Sequence, residues 1–195
     1  MSWRTILARP RTVVRNHFWA VLAVLAVILS AVVYPSDIES YRAEPYDGAN
    51  NALVTTTEHY LRHVNTIAAF AVPILLRDVA GLQQLGAVTV FGILATHGPK
   101  RLLNDVVIGG TRLGERPHAP DSNHNMPSGH SALASTIIWF LGRRYSWWWL
   151  LLTVPVTLLT MYARVMLNAH TISAVVAGAL IGLLVTALFV TKREK

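Results

Sequence analysis

Long runs of apolar residues dominate this chain. Five stretches carry no formal charge, or only a histidine, and a sixth, shorter one continues backwards through a polar segment. A bilayer core about 30 Å thick needs roughly 17–25 helical residues, and a helix satisfies its own backbone groups in hydrocarbon. The pattern therefore predicts an all-α integral membrane bundle of six transmembrane helices, at about residues 17–34, 57–76, 80–99, 128–143, 146–166 and 171–191.

The composition agrees with a membrane protein. Of the 195 residues, 53% are hydrophobic and only 14% are charged, whereas soluble domains carry about 25% charged residues. This apolar content excludes intrinsic disorder. Because the chain has no cysteine, disulfides, thiolate metal sites and cysteine nucleophiles are excluded as well. The length predicts one domain, residues 1–195.

The net charge of +7 is unevenly distributed. Lys and Arg concentrate on the cytoplasmic side of membrane proteins. With the N-terminus inside, the inner segments hold ten cations and two acids, and the outer segments hold seven cations and eight acids. The charge therefore predicts membrane topology and no nucleic acid partner. Residues 1–16 become a cytoplasmic segment, and 35–56 and 100–127 become external loops. Part of 35–63 either lies along the membrane surface as a helix or forms a connecting loop.

Polar residues gather in three clusters that this threading places on the external face. Ionisable residues at membrane depth are costly and are a functional hypothesis by default. The clusters are Lys100-Arg101 with Arg116-Pro117, the segment Pro127-Ser128-Gly129-His130, and Arg164 with His170.

These residue types suit a phosphate. Lysine and the planar fork of arginine bind phosphate oxygens, and a helix start with free N–H groups favours an anion. One histidine can then attack phosphorus while another protonates the leaving oxygen. The simpler alternatives are a snorkelling Lys100 and a structural His130. The remaining histidines of this region form no helical pair and have no acidic cluster beside them, so we expect no metal; they are His97, His118 and His124.

Three sequence features resemble the type 2 phosphatidic acid phosphatase (PAP2) superfamily. The chain contains its PSGH signature at 127–130, an Arg-Pro at 116–117, and an arginine followed five residues later by a histidine, Arg164 and His170. The resemblance covers about residues 60–191. It implies a six-helix bacterial inner-membrane protein with an external site, no metal and no other cofactor.

The resemblance also implies a role for each matching residue. His170 resembles the nucleophile that forms a phosphohistidine, and His130 the general acid. The expected phosphate-binding residues are Lys100, Arg116, Ser128, Gly129 and Arg164.

The chain departs from the superfamily pattern at three points. Lys100 and Arg116 are more widely spaced than the pattern has them, so Arg101 and Arg112 are alternatives for the first motif. Ala163 stands where the superfamily often has serine. Ala174 stands where it has the aspartate that orients the nucleophile. We expect residues 170 and 174 to share one helix face, so that alanine there leaves an inactivated variant, engineered or natural.

The leading hypothesis is a metal-independent lipid phosphatase that acts on a phosphomonoester or diphosphate head group. Candidate substrates are phosphatidylglycerol phosphate, undecaprenyl diphosphate, phosphatidic acid and lipid A 1-phosphate. Alternatives are a lipid phosphotransferase, a non-catalytic lipid- or phosphate-binding membrane protein, and, last, a transporter.

Overall fold

The computed structural model describes residues 2–34 and 36–194, and this part of the chain is mostly helical. The longer helices are α1 Trp3–Asn16, α2 Phe18–Val33, α5 Arg62–Leu75, α6 Val79–Leu102, α7 Gly129–Arg144, α8 Leu150–Met166 and α9 Ile172–Phe189. Shorter helices are α3 Ile38–Ala43 and α4 Ala52–Thr56, a π-helical turn Thr57–Leu61 joins α4 to α5, and a 3-10 turn Trp147–Trp149 precedes α8. The strands β1 Val107–Ile108 and β2 Thr111–Arg112 form an antiparallel hairpin.

The helical bundle is confirmed, and each predicted helix has a counterpart whose bounds differ by a few residues. Three helices of the described part are long and apolar enough to cross a membrane: Val79–Leu102, Trp147–Met166 and Ile172–Phe189. Helices α1 and α2 meet the same criteria as a pair, bent by 94°. Six membrane crossings therefore stay a prediction.

Helix α1 and the hairpin were not predicted, whereas helices α3 and α4 match the helical alternative left open for residues 35–63. Helix α1 lies in the segment that was expected to be a cytoplasmic extension. It was not predicted because its arginines and Pro10 interrupt the apolar run. Helix α4 lies within the expected external loop, where Asn51 caps it by accepting hydrogen bonds from Leu53 and Val54 N–H. The β1–β2 hairpin lies in the loop 100–127, with Gly109 and Gly110 at positive φ in its turn.

Small residues let α7 and α9 approach closely. A methyl group on Gly178 of α9 would overlap the carbonyl oxygen of Ser128, and one on Gly182 would overlap that of Ala132. Close backbone approach through glycine is a common packing device of membrane helices. The N-terminal turn of α7 is thereby held directly against α9.

The helix order brings four helix ends together. Helix α6 ends at Leu102, α7 begins at Gly129, α8 ends at Met166 and α9 begins at Ile172, all at one end of the bundle.

At the opposite end, Arg144 bonds Asp78 twice at 2.6 Å and Tyr145 donates to the same carboxylate at 2.9 Å. Burial raises the pKa of Asp78, but hydrogen bonds from Arg144, the Gly81 N–H and Tyr145 outweigh it and lower that pKa to about 2.

Candidate active site

A cavity of about 550 Å³ lies among α5, α6 and α7 and reaches the end of the bundle where the four helix ends meet. Most of the residues predicted for the site line it: Lys100, Arg116, Gly129, His130 and His170. Ser128, Arg164 and Ala174 do not line it. The two histidines therefore share one cavity at one end of the bundle.

Two cations meet at one carbonyl oxygen. Lys100 Nζ donates to His124 O at 3.1 Å, and Arg116 Nη2 donates to the same oxygen at 3.3 Å. Lys100 is 7% exposed, whereas Arg101 is exposed outside the cavity. Burial, and then the charge of Arg164, lower the pKa of Arg116.

Arg112, the other alternative for the first motif, instead stabilises the loop 100–127. Its guanidinium donates to Asn123 Oδ1 at 2.8 Å, to Pro120 O at 2.9 Å and to Ser122 O at 3.0 Å. The geometry therefore favours Lys100 in the first motif.

Arg164 does not line the cavity, but its charge acts on Arg116 and His170, and it is paired with an acid that the residue pattern did not predict. Its Nη1 lies 2.7 Å from Glu58 Oε1, and Arg62 Nη1 lies 2.7 Å from the same oxygen. A carboxylate of the protein itself is therefore paired with Arg164. Glu58 comes from the π-helical turn, far away in sequence, and the available signal was an acid inside a segment predicted to span the membrane.

Four arginines have a buried Nε without a hydrogen-bond partner within the described residues: Arg9, Arg42, Arg116 and Arg164. Arg116 and Arg164 are the two that were predicted to bind phosphate. A buried donor without a partner costs free energy, and a phosphate oxygen would satisfy each. The donor set thus fits an anion.

Ser128 shapes the start of α7 instead of lining the cavity. Its Oγ accepts from the Ser131 N–H at 3.4 Å and from the Ser131 hydroxyl at 3.1 Å, and the residue is fully buried. This N-cap fixes the first turn of the helix, which carries Gly129 and His130 into the cavity wall. Phosphate binding by the Ser128 hydroxyl stays a prediction.

His170 lies in the short connection between α8 and α9 and is 1% exposed. The carbonyl of Arg164 accepts the N–H of Ala169 at 3.1 Å and that of His170 at 3.3 Å. Burial, followed by the charges of Arg164, Arg116 and Lys100, lowers the pKa of His170 well below its ordinary value of 6.5. The ring is therefore neutral at physiological pH, which is the form able to attack phosphorus.

Ala174 lies in the first turn of α9 and is fully buried. The expectation that residues 170 and 174 share a helix face is wrong, because the helix begins at Ile172 with Thr171 as its N-cap. Ala174 N–H donates to Thr171 Oγ1 at 3.3 Å, and its carbonyl accepts from Ser128 N–H at 2.9 Å. The residue thus joins the starts of α7 and α9.

The other histidines of the region have different environments. His118 Nδ1 donates to Asn168 O at 2.6 Å, and His97 and His124 line the cavity. No group of three or more histidine or acidic side chains able to hold a metal occurs among residues 2–34 and 36–194.

A cationic cavity with two histidines, at one end of an apolar helical bundle, defines the class of a membrane phosphatase. The chain belongs to the PAP2 superfamily, whose family model matches residues 82–195. It is 45% identical over 141 residues to the lipid A 1-phosphatase of Helicobacter pylori strain 26695. The aligned region covers 71% of this chain and 72% of that protein. Identity to the enzyme of strain J99 is also 45%, over 71% of each chain. No solved structure matches.

Proposed function

We propose that this chain hydrolyses the phosphate of a lipid head group at the external face of a bacterial inner membrane, through a phosphohistidine on His170. Membership of the superfamily and the two relatives named lipid A 1-phosphatases together support a lipid phosphatase. The observation that carries the reaction is the single cavity shared by His130, His170 and the cations Lys100 and Arg116.

The shape of the cavity favours a lipid over a soluble phosphate. Along α6 it is lined from Lys100 down to Leu85, a distance of about 22 Å at 1.5 Å per helical residue. Below the cations the wall is largely apolar, with Phe70, Val88 and Ile93. A hydrocarbon chain fits this wall while its phosphate lies among the cations.

The reaction follows from the positions of the two histidines. The neutral Nε2 of His170 attacks phosphorus, the bond between phosphorus and the lipid oxygen breaks, and His130 gives its proton to that oxygen. Water then loses a proton to His130 and attacks the phosphohistidine, which releases inorganic phosphate and regenerates both side chains. Lys100, Arg116 and Arg164 stabilise the charge on the phosphoryl oxygens, the task that a metal performs in other phosphatases.

Among the candidate substrates, the relatives favour lipid A 1-phosphate, because both are named lipid A 1-phosphatases. The test is release of inorganic phosphate by the purified chain in lipid micelles. The panel contains lipid A 1-phosphate, phosphatidylglycerol phosphate, undecaprenyl diphosphate and phosphatidic acid, with His170→Ala as the control. Release from lipid A alone supports the proposal, and release from none contradicts it. When the phosphate of the substrate is radiolabelled, transfer of the label to a second lipid identifies a phosphotransferase.

The effect of Ala174 is a separate prediction. If the missing carboxylate has left the chain nearly inactive, Ala174→Asp raises phosphate release by at least roughly a hundredfold. This expected increase is set conservatively below the loss of about 10⁴ in turnover that follows when the orienting aspartate of a serine protease is disabled. The increase should disappear when His170 is also changed to Ala. Equal release from the unsubstituted chain and the variant would contradict inactivation.

A further inference from the structure

The ring of His170 already has a hydrogen-bond partner that fixes its orientation. Its Nδ1 lies 2.9 Å from the backbone carbonyl oxygen of Asn125. A carbonyl oxygen only accepts, so Nδ1 carries the hydrogen and Nε2 keeps its lone pair. The pairing thus selects the tautomer that a nucleophilic histidine needs.

Asn125 is held firmly in the position that this contact requires. The residue is 3% exposed, and its N–H donates to Gly114 O at 3.0 Å. Its side chain makes two hydrogen bonds to Thr171, the residue after the histidine. Oδ1 accepts from Thr171 N–H at 3.0 Å, and Nδ2 donates to Thr171 Oγ1 at 3.3 Å. The carbonyl and His170 are therefore fixed to the same short segment, without any contribution from a side chain at position 174.

We propose that Asn125 is the positioning residue of the nucleophile, and that its peptide oxygen performs the orienting role that the superfamily pattern gives to a carboxylate at position 174. This proposal rests on the proposed function of His170. It is the alternative to inactivation by Ala174, since it makes the chain active as it stands. Because a neutral carbonyl stabilises a positive ring less than a carboxylate does, the expected activity lies below that of a carboxylate-oriented site but well above that of a site without an orienting group.

The most direct test weakens the carbonyl alone. Incorporating the α-hydroxy acid analogue of methionine at position 126 converts the 125–126 amide to an ester, whose carbonyl is a poorer acceptor. The Met126 N–H that this removes makes no hydrogen bond within the described part of the chain. We expect kcat to fall about tenfold, the scale of one hydrogen bond, with KM and melting temperature unchanged. The matched control carries methionine incorporated by the same method.

A second test uses coupling between two positions. Asn125→Ala removes the two side-chain hydrogen bonds to Thr171 that hold the carbonyl in place. We expect kcat to fall at least about tenfold, with partial recovery in Asn125→Asp because Oδ1 is kept. Ala174→Asp should then increase kcat at least about tenfold more in the Asn125→Ala chain than in the unsubstituted one. The matched control is Asn123→Ala, on the same loop, whose side chain accepts a hydrogen bond from Arg112 and makes none to Thr171 or His170.

Three results would overturn the proposal: an ester protein with the kcat of its methionine control, equal gains from Ala174→Asp in both chains, or ¹⁵N shifts showing the hydrogen of His170 on Nε2. The His170→Ala spectrum assigns those shifts. They need no turnover, so they decide the orientation even if no lipid proves to be a substrate, in which case the proposed function fails separately.

Discussion

Arg164 forms an ion pair and still has a buried nitrogen available for a ligand. Its Nη1 pairs with Glu58, whereas its buried Nε has no partner among the described residues. Arg164→Lys keeps the charge but loses the planar fork. We expect it to lose most phosphatase activity, by at least about tenfold, at an unchanged melting temperature.

The matched control is Arg62→Lys, because Arg62 pairs with the same Glu58 oxygen but its Nε already donates to His63 Nε2 at 3.4 Å. Its activity should fall by less than about threefold, as expected for a partly exposed ion pair. If Arg164→Lys instead fails to fold while Arg62→Lys is normal, Arg164 is a structural residue and not a phosphate ligand.

Residue types and spacing were enough to find the histidines and cations of the site. His130, His170, Lys100 and Arg116 belong to motifs whose residues have recognisable chemistry, and all four line one cavity. Glu58 and Asn125 could not be found in this way. Glu58 meets Arg164 across 106 residues, and Asn125 contributes a backbone oxygen, which every residue type carries.

At the scale of helices, the active site depends on how closely α7 and α9 pack. A methyl group on Gly178 would overlap the carbonyl oxygen of Ser128, whose own N–H donates to Ala174 O at 2.9 Å. Gly178→Ala must therefore separate the starts of α7 and α9, which carry His130 and follow His170. We expect a lower melting temperature and at least about a tenfold loss of kcat.

Gly98→Ala is the matched control for this substitution. Gly98 is also inside a helix, but a methyl group there would meet nothing within 4 Å. Alanine is favoured over glycine in a helix by about 1 kcal/mol, so the variant should be as stable as the unsubstituted chain or slightly more so. Equal melting temperatures and equal kcat values for the two variants would show that the α7–α9 contact is not tight.

Helix positions were predictable because membrane spans need long apolar runs, which the sequence displays directly. Helix bounds and the short elements were not, since they depend on caps and tertiary contacts. Helix α9 begins at Ile172 because Thr171 Oγ1 accepts the Ala174 N–H. Residues 170 and 174 therefore do not share the helix face on which the expectation of an inactive chain depended.

For the whole molecule, stability and catalysis are located at opposite ends of the bundle. Asp78 joins the start of α6 to the end of α7 through Arg144, with both side chains at most 6% exposed. Removing one partner of a buried pair leaves an uncompensated charge and costs about 3–5 kcal/mol. Asp78→Asn should therefore lower the melting temperature strongly, while the KM of the folded fraction stays unchanged.

The pH dependence of this pair has a defined sign. Hydrogen bonding outweighs burial and lowers the pKa of Asp78 from 3.8 to about 2. Its contribution to stability is present above pH 3.8 and is lost as the pH falls towards 2, and Asp78→Asn should remove this acid loss. Asp105→Asn is the control, because Asp105 is 88% exposed and 3.8 Å from Arg112, a pair worth about 0–1 kcal/mol. Equal destabilisation by both variants would contradict a special role for the buried pair.

The orientation of the molecule in the membrane is the last prediction, and the sequence supplies a clean way to test it. Because the chain has no cysteine, each introduced cysteine gives a single labelling site. Three exposed positions report on three regions: Arg4 in α1, Asp121 in the α6–α7 connection beside the cavity, and Lys192 after α9. The excess of cations in the inner segments predicts that Asp121 is external and the other two are cytoplasmic.

In intact spheroplasts, a membrane-impermeant maleimide should therefore label Asp121→Cys and leave Arg4→Cys and Lys192→Cys unlabelled until the membrane is permeabilised. Labels on Arg4→Cys and Lys192→Cys from opposite sides would mean an odd number of crossings and exclude six. The reverse pattern, with Asp121→Cys protected and both ends labelled, would keep the even number but place the cavity on the cytoplasmic face. The lipid panel would then have to be drawn from the inner leaflet, because the cations proposed to bind the phosphate lie at the same end of the bundle as Asp121.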